Sequence, residues 1–439
     1  MARRPNLIFI VADDLGYADL GCYGGRPAGF GAVSPVLDAM AANGLRFTQG
    51  YANSPVCSPT RFALMTARWQ YRLRGAAEEP INSRSRGSTT LGLPPDHPTL
   101  PSLLKGAGYR TALIGKWHLG YPPNFGPLRS GYEEFFGPMS GGVDYFTHAD
   151  SAGRHDLYEG EAEQAQDGYL TDLITGRAID WLQRVVREER PFFLSLHYTA
   201  PHWPWETRDD RELAFNLQGS LFHLAGGNIH TYRRMIHHMD EGIGRLLQAL
   251  RASGRLDDTL IVFTSDNGGE RFSDNWPLVG GKMDLTEGGI RVPYIVQWPA
   301  VISPGGVSTQ HCLTMDWSAT LLDAAGVAAD AGHPLDGVSL LPVLREPAKT
   351  FRRTMHWRMN HRGQRALRDG DWKYLRVDGN DYLFDITQDE RERANRAALE
   401  PGRLQRLRDD WEAWNATMPP IPEDASVSLG YSVKDMPQR

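Results

Sequence analysis

The chain alternates short, wholly apolar runs with longer stretches of helical spacing. Residues 7–12 are continuously apolar and β-branched, which suits a strand buried on both faces of a central sheet. Residues 110–114, 192–198, 260–264 and 292–296 read as further strands. Helices are predicted at 35–42 (Leu37, Met40 and Ala41 on one side, Gly44 as cap), 62–68, 99–107 (closed by Gly108), 169–189, 230–252 and 314–325. This alternation predicts an α/β protein. After Pro342 and Pro347 the pattern changes. Residues 353–358, 364–368, 372–377 and 382–384 read as short antiparallel strands, with turns at Asp369-Gly370 and Asp378-Gly379. A helix over 403–414 packs on them. The expected division is a large domain, 1–346, and a small C-terminal α+β subdomain, 347–439.

Chemistry-bearing residues collect at strand ends, where α/β sheets place their ligands. Asp13-Asp14 follow the first strand, Lys116 and His118 the second, His202 the third and Asp266-Asn267 the fourth. Two adjacent carboxylates repel each other unless a cation neutralises them, and a loop geometry is needed to make both converge. A helix cap or a solvated turn is the competing reading. With Asp266 and Asn267 they make a hard oxygen set of the type Ca²⁺ or Mg²⁺ prefers. Cys57 opens the 57–68 segment, near a helix N-terminus that favours anions, and Arg61 lies one turn on. It reads either as a nucleophile for an anionic substrate or as a buried helix-start cysteine. His237, His238 and Asp240 look like ligands, but neighbours i and i+1 do not share a helical face, so they are taken as structural or surface residues. Arginines between 72 and 86 read as a flexible charged surface loop, with an anionic substrate facing them as the alternative. Trp203 and Trp205 form either an aromatic wall or part of the core.

Cys57-Ser58-Pro59-Thr60-Arg61 resembles the C-x-P-x-R core signature of the sulfatase family. Pro5 to Asp14, Gly108 to Gly120, Pro201-His202-Trp203-Pro204, Ser265 to Gly268, and Gly281-Lys282 with Glu287 to Pro293 are similar to further family signatures, in family order. One departure is Ala67, where the family usually has glycine. The resemblance implies an alkaline-phosphatase-like fold: three α/β/α layers around a central mixed sheet, plus the C-terminal α+β subdomain with its antiparallel sheet. It implies hydrolysis of sulfate monoesters by a metal-bound formylglycine hydrate made from Cys57, through a covalent sulfo-enzyme intermediate. The implied metal ligands are Asp13, Asp14, Asp266, Asn267 and residue 57, around one divalent cation, Ca²⁺ or alternatively Mg²⁺. Arg61, Lys116, His118, His202 and Lys282 are the implied catalytic residues, and Lys116, His202 and Lys282 also face the sulfate. Substrate specificity is expected from the loops at 69–97 and 121–168, with Asp144, Tyr145, His148 and His155 as candidates. The expected partners are a small sulfate ester and a formylglycine-generating maturation enzyme. A phosphate or phosphonate monoester hydrolase on the same scaffold is the alternative, and a non-catalytic binder of sulfated ligands is a third reading.

Composition narrows this further. The 439 residues are 41% hydrophobic and 23% charged, ordinary for a globular protein. A formal net charge of −6 gives no support for a nucleic-acid partner. Three cysteines, at 22, 57 and 312, form no disulfide framework. Arg3-Arg4 and the apolar run after them resemble the start of a signal peptide, but the run is short and ends in Asp13-Asp14. A cytoplasmic chain without membrane spans is the expectation.

Overall fold

The computed structural model describes residues 4–25, 32–217 and 226–429. Sixteen strands are named among these residues. They are β1 Asn6–Ala12, β2 Leu45–Phe47, β3 Gly50–Tyr51, β4 Arg110–Gly115, β5 Glu134–Gly137, β6 Tyr158–Glu159, β7 Ala162–Glu163, β8 Phe192–His197, β9 Thr259–Ser265, β10 Tyr294–Gln297, β11 Gly306–Ser308, β12 Cys312–Leu313, β13 Met355–Arg358, β14 Arg365–Asp369, β15 Trp372–Val377 and β16 Asn380–Asp385. The main sheet runs β11-β2-β10-β9-β1-β8-β4-β5-β6-β7. Its centre is parallel: β1 pairs with β8 and β9, and β4 with β8 and β5. The antiparallel β10 makes the sheet mixed.

Every residue of β1, β8 and β9 is buried, so both faces of the sheet are covered. Alternation along β1 divides the core in two. Ile8 and Ile10 pack with helices Leu170–Val185 and Ile229–Ala252. Leu7, Phe9 and Val11 pack on the other side with helices Cys57–Thr66, Leu100–Gly106 and Thr314–Ala324. The three expected layers are therefore present. Among the described residues no helix is long and apolar enough to cross a membrane.

Some local readings change. Helix Pro35–Ala42 is as expected, but Asn43 is its C-cap. Gly44 answers to packing instead, because a Cβ there would lie 2.1 Å from the Val296 carbonyl oxygen. The 169–189 helix is shorter, Leu170–Val185. Asp240 is structural: it accepts the Val36 and Leu37 N–H groups at 2.9 and 2.8 Å, capping helix Pro35–Ala42. The arginines between 72 and 86 are not a free loop. Arg72 pairs with Asp336, Arg74 with Glu78, and Arg86 with both Asp150 and Asp156.

Beyond helix Leu341–Arg345 the chain forms the antiparallel sheet β13-β14-β15-β16. Asp378 and Gly379 both have positive φ, 49° and 81°, as a type I′ hairpin requires. Leu407 and Trp411 of helix Pro401–Asn415 cover one face of this sheet. The other face, with Trp357 and Leu375, packs on Val56 and Ala63 beside Cys57. The C-terminal sheet thus braces the Cys57 helix from behind.

Ala67 caps that helix in the left-handed region, at φ 52°. A side chain there costs about 1–2 kcal/mol relative to glycine. Ala67→Gly is expected to raise stability by about 1 kcal/mol, read as an upward shift of the urea midpoint at unchanged slope. No shift, or a lower midpoint, would contradict this account of the cap.

Candidate active site

Four parallel strands, β9, β1, β8 and β4, bring their C-terminal ends to one edge of the sheet. β1 delivers Asp13 and Asp14, which are 0% and 2% exposed. Asp14 has φ 62°, a left-handed turn directly after the strand. That turn is the loop geometry needed for both carboxylates to face one place. β4 ends at Gly115, whose φ is 115° and whose Cβ would lie 1.8 Å from the His197 carbonyl oxygen. Only glycine permits this approach, which leads the chain into Lys116 and His118.

Cys57 is the first residue of helix Cys57–Thr66, all of it buried. Thr60 pins the approach: its Oγ1 accepts the Ser54 N–H at 3.0 Å and donates to the Ser54 carbonyl at 2.8 Å. Cys57 Sγ lies 3.8 Å from Asp14 Oδ1. Sγ and one ligand atom each of Asp13, Asp14 and His202 lie within 4.8 Å of one another.

Each acid has a cationic neighbour. Lys116 Nζ donates to Asp13 Oδ2 at 2.5 Å and Lys282 Nζ to Asp14 Oδ2 at 2.6 Å. Arg61 Nε and Nη2 fork onto Asp266 Oδ2 at 3.1 and 2.8 Å. Arg61 Nη1 also donates to the Lys116 carbonyl, tying the helix to the β4 end. Asn267 Nδ2 donates to Asp14 Oδ1 at 2.7 Å. Two buried acceptors, Asp13 Oδ1 and Asn267 Oδ1, have no hydrogen-bond partner. Such oxygens are costly unless something occupies them. Hard oxygens without partners beside clustered carboxylates fit a divalent cation. Burial and the facing Asp266 push the Asp13 carboxyl up to about 8, although Lys116 pulls it down. Burial would raise Asp266 too, but Arg61 and Lys116 outweigh it and hold that carboxyl below its usual range.

Burial works against a charge on both histidines of the site, His118 and His202. Burial, reinforced by Lys116, holds His118 well below its usual range. Burial with Lys282 and Lys116 does the same for His202. His118 Nε2 faces the Ile81 carbonyl at 2.7 Å, so its proton sits there, and Nδ1 keeps a lone pair without a partner. His202 Nδ1 faces the Trp203 carbonyl at 2.7 Å, which turns Nε2 towards Asp14 Oδ2 at 3.5 Å. Burial pushes the Cys57 thiol well above its usual range despite Lys116 and Lys282.

A cavity of about 90 Å³ opens over these groups, lined by Cys57, His118, His202, Trp203 and Lys282 among others. A larger one, about 280 Å³, lies between 71–79 and 419–422 and contains none of the strand-end residues. Trp203 is therefore a wall, whereas Trp205 is buried beside Phe272.

Asp144 and Tyr145 do not line the cavity, contrary to expectation. Asp144 Oδ1 accepts the Phe146 and Thr147 N–H groups and fixes a turn. Tyr145 is fully buried, and its hydroxyl lies 2.9 Å from the carbonyls of both Thr199 and His202. It props the His202 segment from behind. His148 and His155 contact the Gly168 and Gln164 carbonyls and hold the loop together. The sequence reading missed His197, the last residue of β8, whose Nδ1 lies 3.2 Å from Arg61 Nη1. Its only signal was its place at a strand end next to three others that carry chemistry.

The Sulfatase family profile matches residues 5–327, and the profile for the N-sulphoglucosamine sulphohydrolase C-terminal region matches 281–400. N-acetylgalactosamine-6-sulfatase of Sus scrofa is 33% identical over 383 residues, covering 82% of this chain and 69% of that protein. Arylsulfatase A of Homo sapiens is 33% identical over 406 residues, covering 85% and 75%. The crystal structure of Ps i-CgsB in complex with k-i-k-neocarrahexaose superposes with a TM-score of 0.82 at 30% identity, covering 94% of this chain and 93% of that one. With the family profile spanning most of the chain and relatives similar along most of their length, this protein belongs to the sulfatase family.

Proposed function

We propose that this sulfatase opens a sulfate monoester with a formylglycine made from Cys57, beside one divalent cation held by Asp13, Asp14, Asp266 and Asn267. The observation that carries the reading is Cys57 at a helix N-terminus, among buried carboxylates, where Asp13 Oδ1 and Asn267 Oδ1 lack hydrogen-bond partners. Bound there, Ca²⁺ or Mg²⁺ would withdraw charge from a sulfate oxygen and acidify an oxygen on residue 57. Formylglycine supplies a hydrated aldehyde, so one hydroxyl can take the sulfuryl group and the other can expel it.

The chain's own groups do the rest. Arg61 holds Asp266 in place, and that carboxylate receives the attacking hydroxyl's proton. Lys116 and Lys282 bind sulfate oxygens as point charges. His202, with its Nδ1–H committed to the Trp203 carbonyl, presents the Nε2 lone pair as an acceptor where the alcohol departs, and the Lys282 ammonium supplies the alcohol's proton. The free Nδ1 of His118 takes the proton from the second hydroxyl, and sulfate leaves. Maturation is proposed to precede folding, because Cys57, Pro59 and Arg61 are all buried and out of an enzyme's reach in the folded chain.

Protein matured at residue 57 is expected to show kcat/KM for an aryl sulfate at least about 10-fold above that for the matching aryl phosphate or phosphonate monoester, roughly 1.4 kcal/mol of preference. A chelator is expected to abolish turnover, with recovery on adding Ca²⁺ or Mg²⁺. A preference for phosphate or phosphonate, or full turnover after chelation, would contradict the reading.

A further inference from the structure

The active-site cavity has a wall that comes from far along the chain. Ser428 and Leu429 line it, together with Trp203, Asn82 and Ser83. The segment 425–429 reaches the cavity as a strap laid along residues 78–80. Ser426 carbonyl accepts the Glu79 N–H at 2.9 Å, and the Ser428 N–H donates to the Glu79 carbonyl at 2.9 Å. Ser426 N–H and Oγ both donate to Glu78 Oε2. Ser428 Oγ donates to the Pro80 carbonyl at 2.7 Å. Leu429 packs at the margins of two core clusters. The strap is tied down, not draped.

The same spine carries chemistry. The next carbonyl along, Ile81, receives the His118 Nε2–H, and the Ile81 N–H donates to Ser58 Oγ beside Cys57. Residues 78–81 thus set the height of the strap against the reacting groups.

Size decides what the strap touches. A cavity of about 90 Å³ is small. It is well under the roughly 300–1,000 Å³ of sites that enclose drug-sized ligands. It therefore does not enclose a whole sugar or aryl ester together with its sulfate. The alcohol's body must therefore lie across the rim, against Leu429, Ser428 and Trp203. The rim's other members, Asn82, Ser83 and Ser151, are neutral, and Lys282 is the one lysine or arginine among the lining residues.

We infer that the 425–429 strap is the specificity-determining wall of this sulfatase. Leu429 limits the bulk of the leaving alcohol, and the neutral rim selects esters with one sulfate on an uncharged, hydroxyl-bearing or aryl body. The inference rests on the proposed sulfatase reading. Leu429 is a specificity residue and performs no chemistry.

The test compares 4-nitrophenyl sulfate with a monosulfated neutral disaccharide as substrates of the matured, metal-loaded full chain. Wild-type turnover of either ester tests the sulfatase reading; the ratio of the two kcat/KM values in variants tests the wall. Leu429→Ala is expected to shift that ratio about 10-fold towards the disaccharide, and Leu429→Trp to shift it the opposite way, mainly through KM. Thermal unfolding checks that both variants fold. Ratios that stay unchanged, or that move the same way in both variants, would overturn the proposal. A variant that does not fold leaves the decision to Leu429→Val, for which the disaccharide must gain relative to the aryl ester or the proposal fails.

Discussion

Cys57→Ala is expected to fold as the wild type does and to lose roughly 10⁴-fold or more in kcat/KM for any sulfate ester, the scale seen when a nucleophile is removed from a group of residues acting as a unit. The side chain is small and buried, at the first position of a helix already fixed by the Ser54–Thr60 pair. Its removal leaves a cavity of one atom, a cost of about 1 kcal/mol. Arg61 keeps Asp266, and Lys116 keeps Asp13, so the carboxylate cluster survives. Cys57→Ser is expected to fall to a similar floor. It restores one hydroxyl of about the right size but no geminal pair, so sulfate transferred to it has no partner group to expel it. Steady-state kinetics with a urea melt on each variant reads both halves of the prediction. An alanine variant that retains wild-type turnover would remove residue 57 from the chemistry.

Glu287→Gln is expected to lower stability by about 3–5 kcal/mol, the range for breaking one partner out of a buried ion pair. Glu287 is fully buried between the catalytic sheet and the C-terminal sheet. Its carboxylate accepts from Tyr51 Oη at 2.7 Å, Lys373 Nζ at 3.0 Å and Arg368 Nη1 at 3.3 Å. Lys373 retains Glu392 at 2.8 Å in the variant, so the loss falls chiefly on Arg368. The Glu287 segment follows Lys282, and activity is expected to fall with stability.

The pH dependence has a definite sign. Burial works against the Glu287 charge, but Lys373, Arg368 and Arg291 outweigh it and hold the carboxyl down at about 2. A depressed carboxyl stabilises above its unfolded pKa of about 4.3, and that contribution disappears as pH falls towards 2. The gap between wild type and Glu287→Gln should therefore narrow from about pH 4.3 downwards. Glu392 behaves oppositely: burial, only partly offset by Lys373, holds it up at about 7. Its contribution weakens stability as pH rises from about 4.3 to 7, in a separate window. Urea midpoints measured across pH 3–7 distinguish the two. A gap that widens on acidification would show that Glu287 is not ionised.

Much of this arrangement is readable in the sequence. The runs at 7–12, 110–114, 192–198 and 260–264 read as buried strands, and each is followed within a few residues by groups that meet at the sheet edge. The central parallel strands then put Asp13, Lys116, His202 and Asp266 together without further information. What sequence leaves open depends on side chains meeting across long separations. Asp144 and Tyr145 lie in the expected substrate-side loop, but burial turns them into props for the His202 segment. The Glu287 network joins residues 51, 287, 368, 373 and 392, and nothing local in any of them announces the others. The 425–429 strap lacks any periodic pattern, and its place over the cavity follows from backbone hydrogen bonds that any sequence can make.

The central claim is that residue 57 works as formylglycine and not as cysteine. The direct measurement is mass analysis of the peptide containing residue 57, across preparations of different specific activity towards one sulfate ester. The account predicts activity proportional to the fraction carrying the aldehyde, extrapolating to zero where the peptide is wholly thiol. Full activity in a preparation whose residue 57 is entirely cysteine would contradict it.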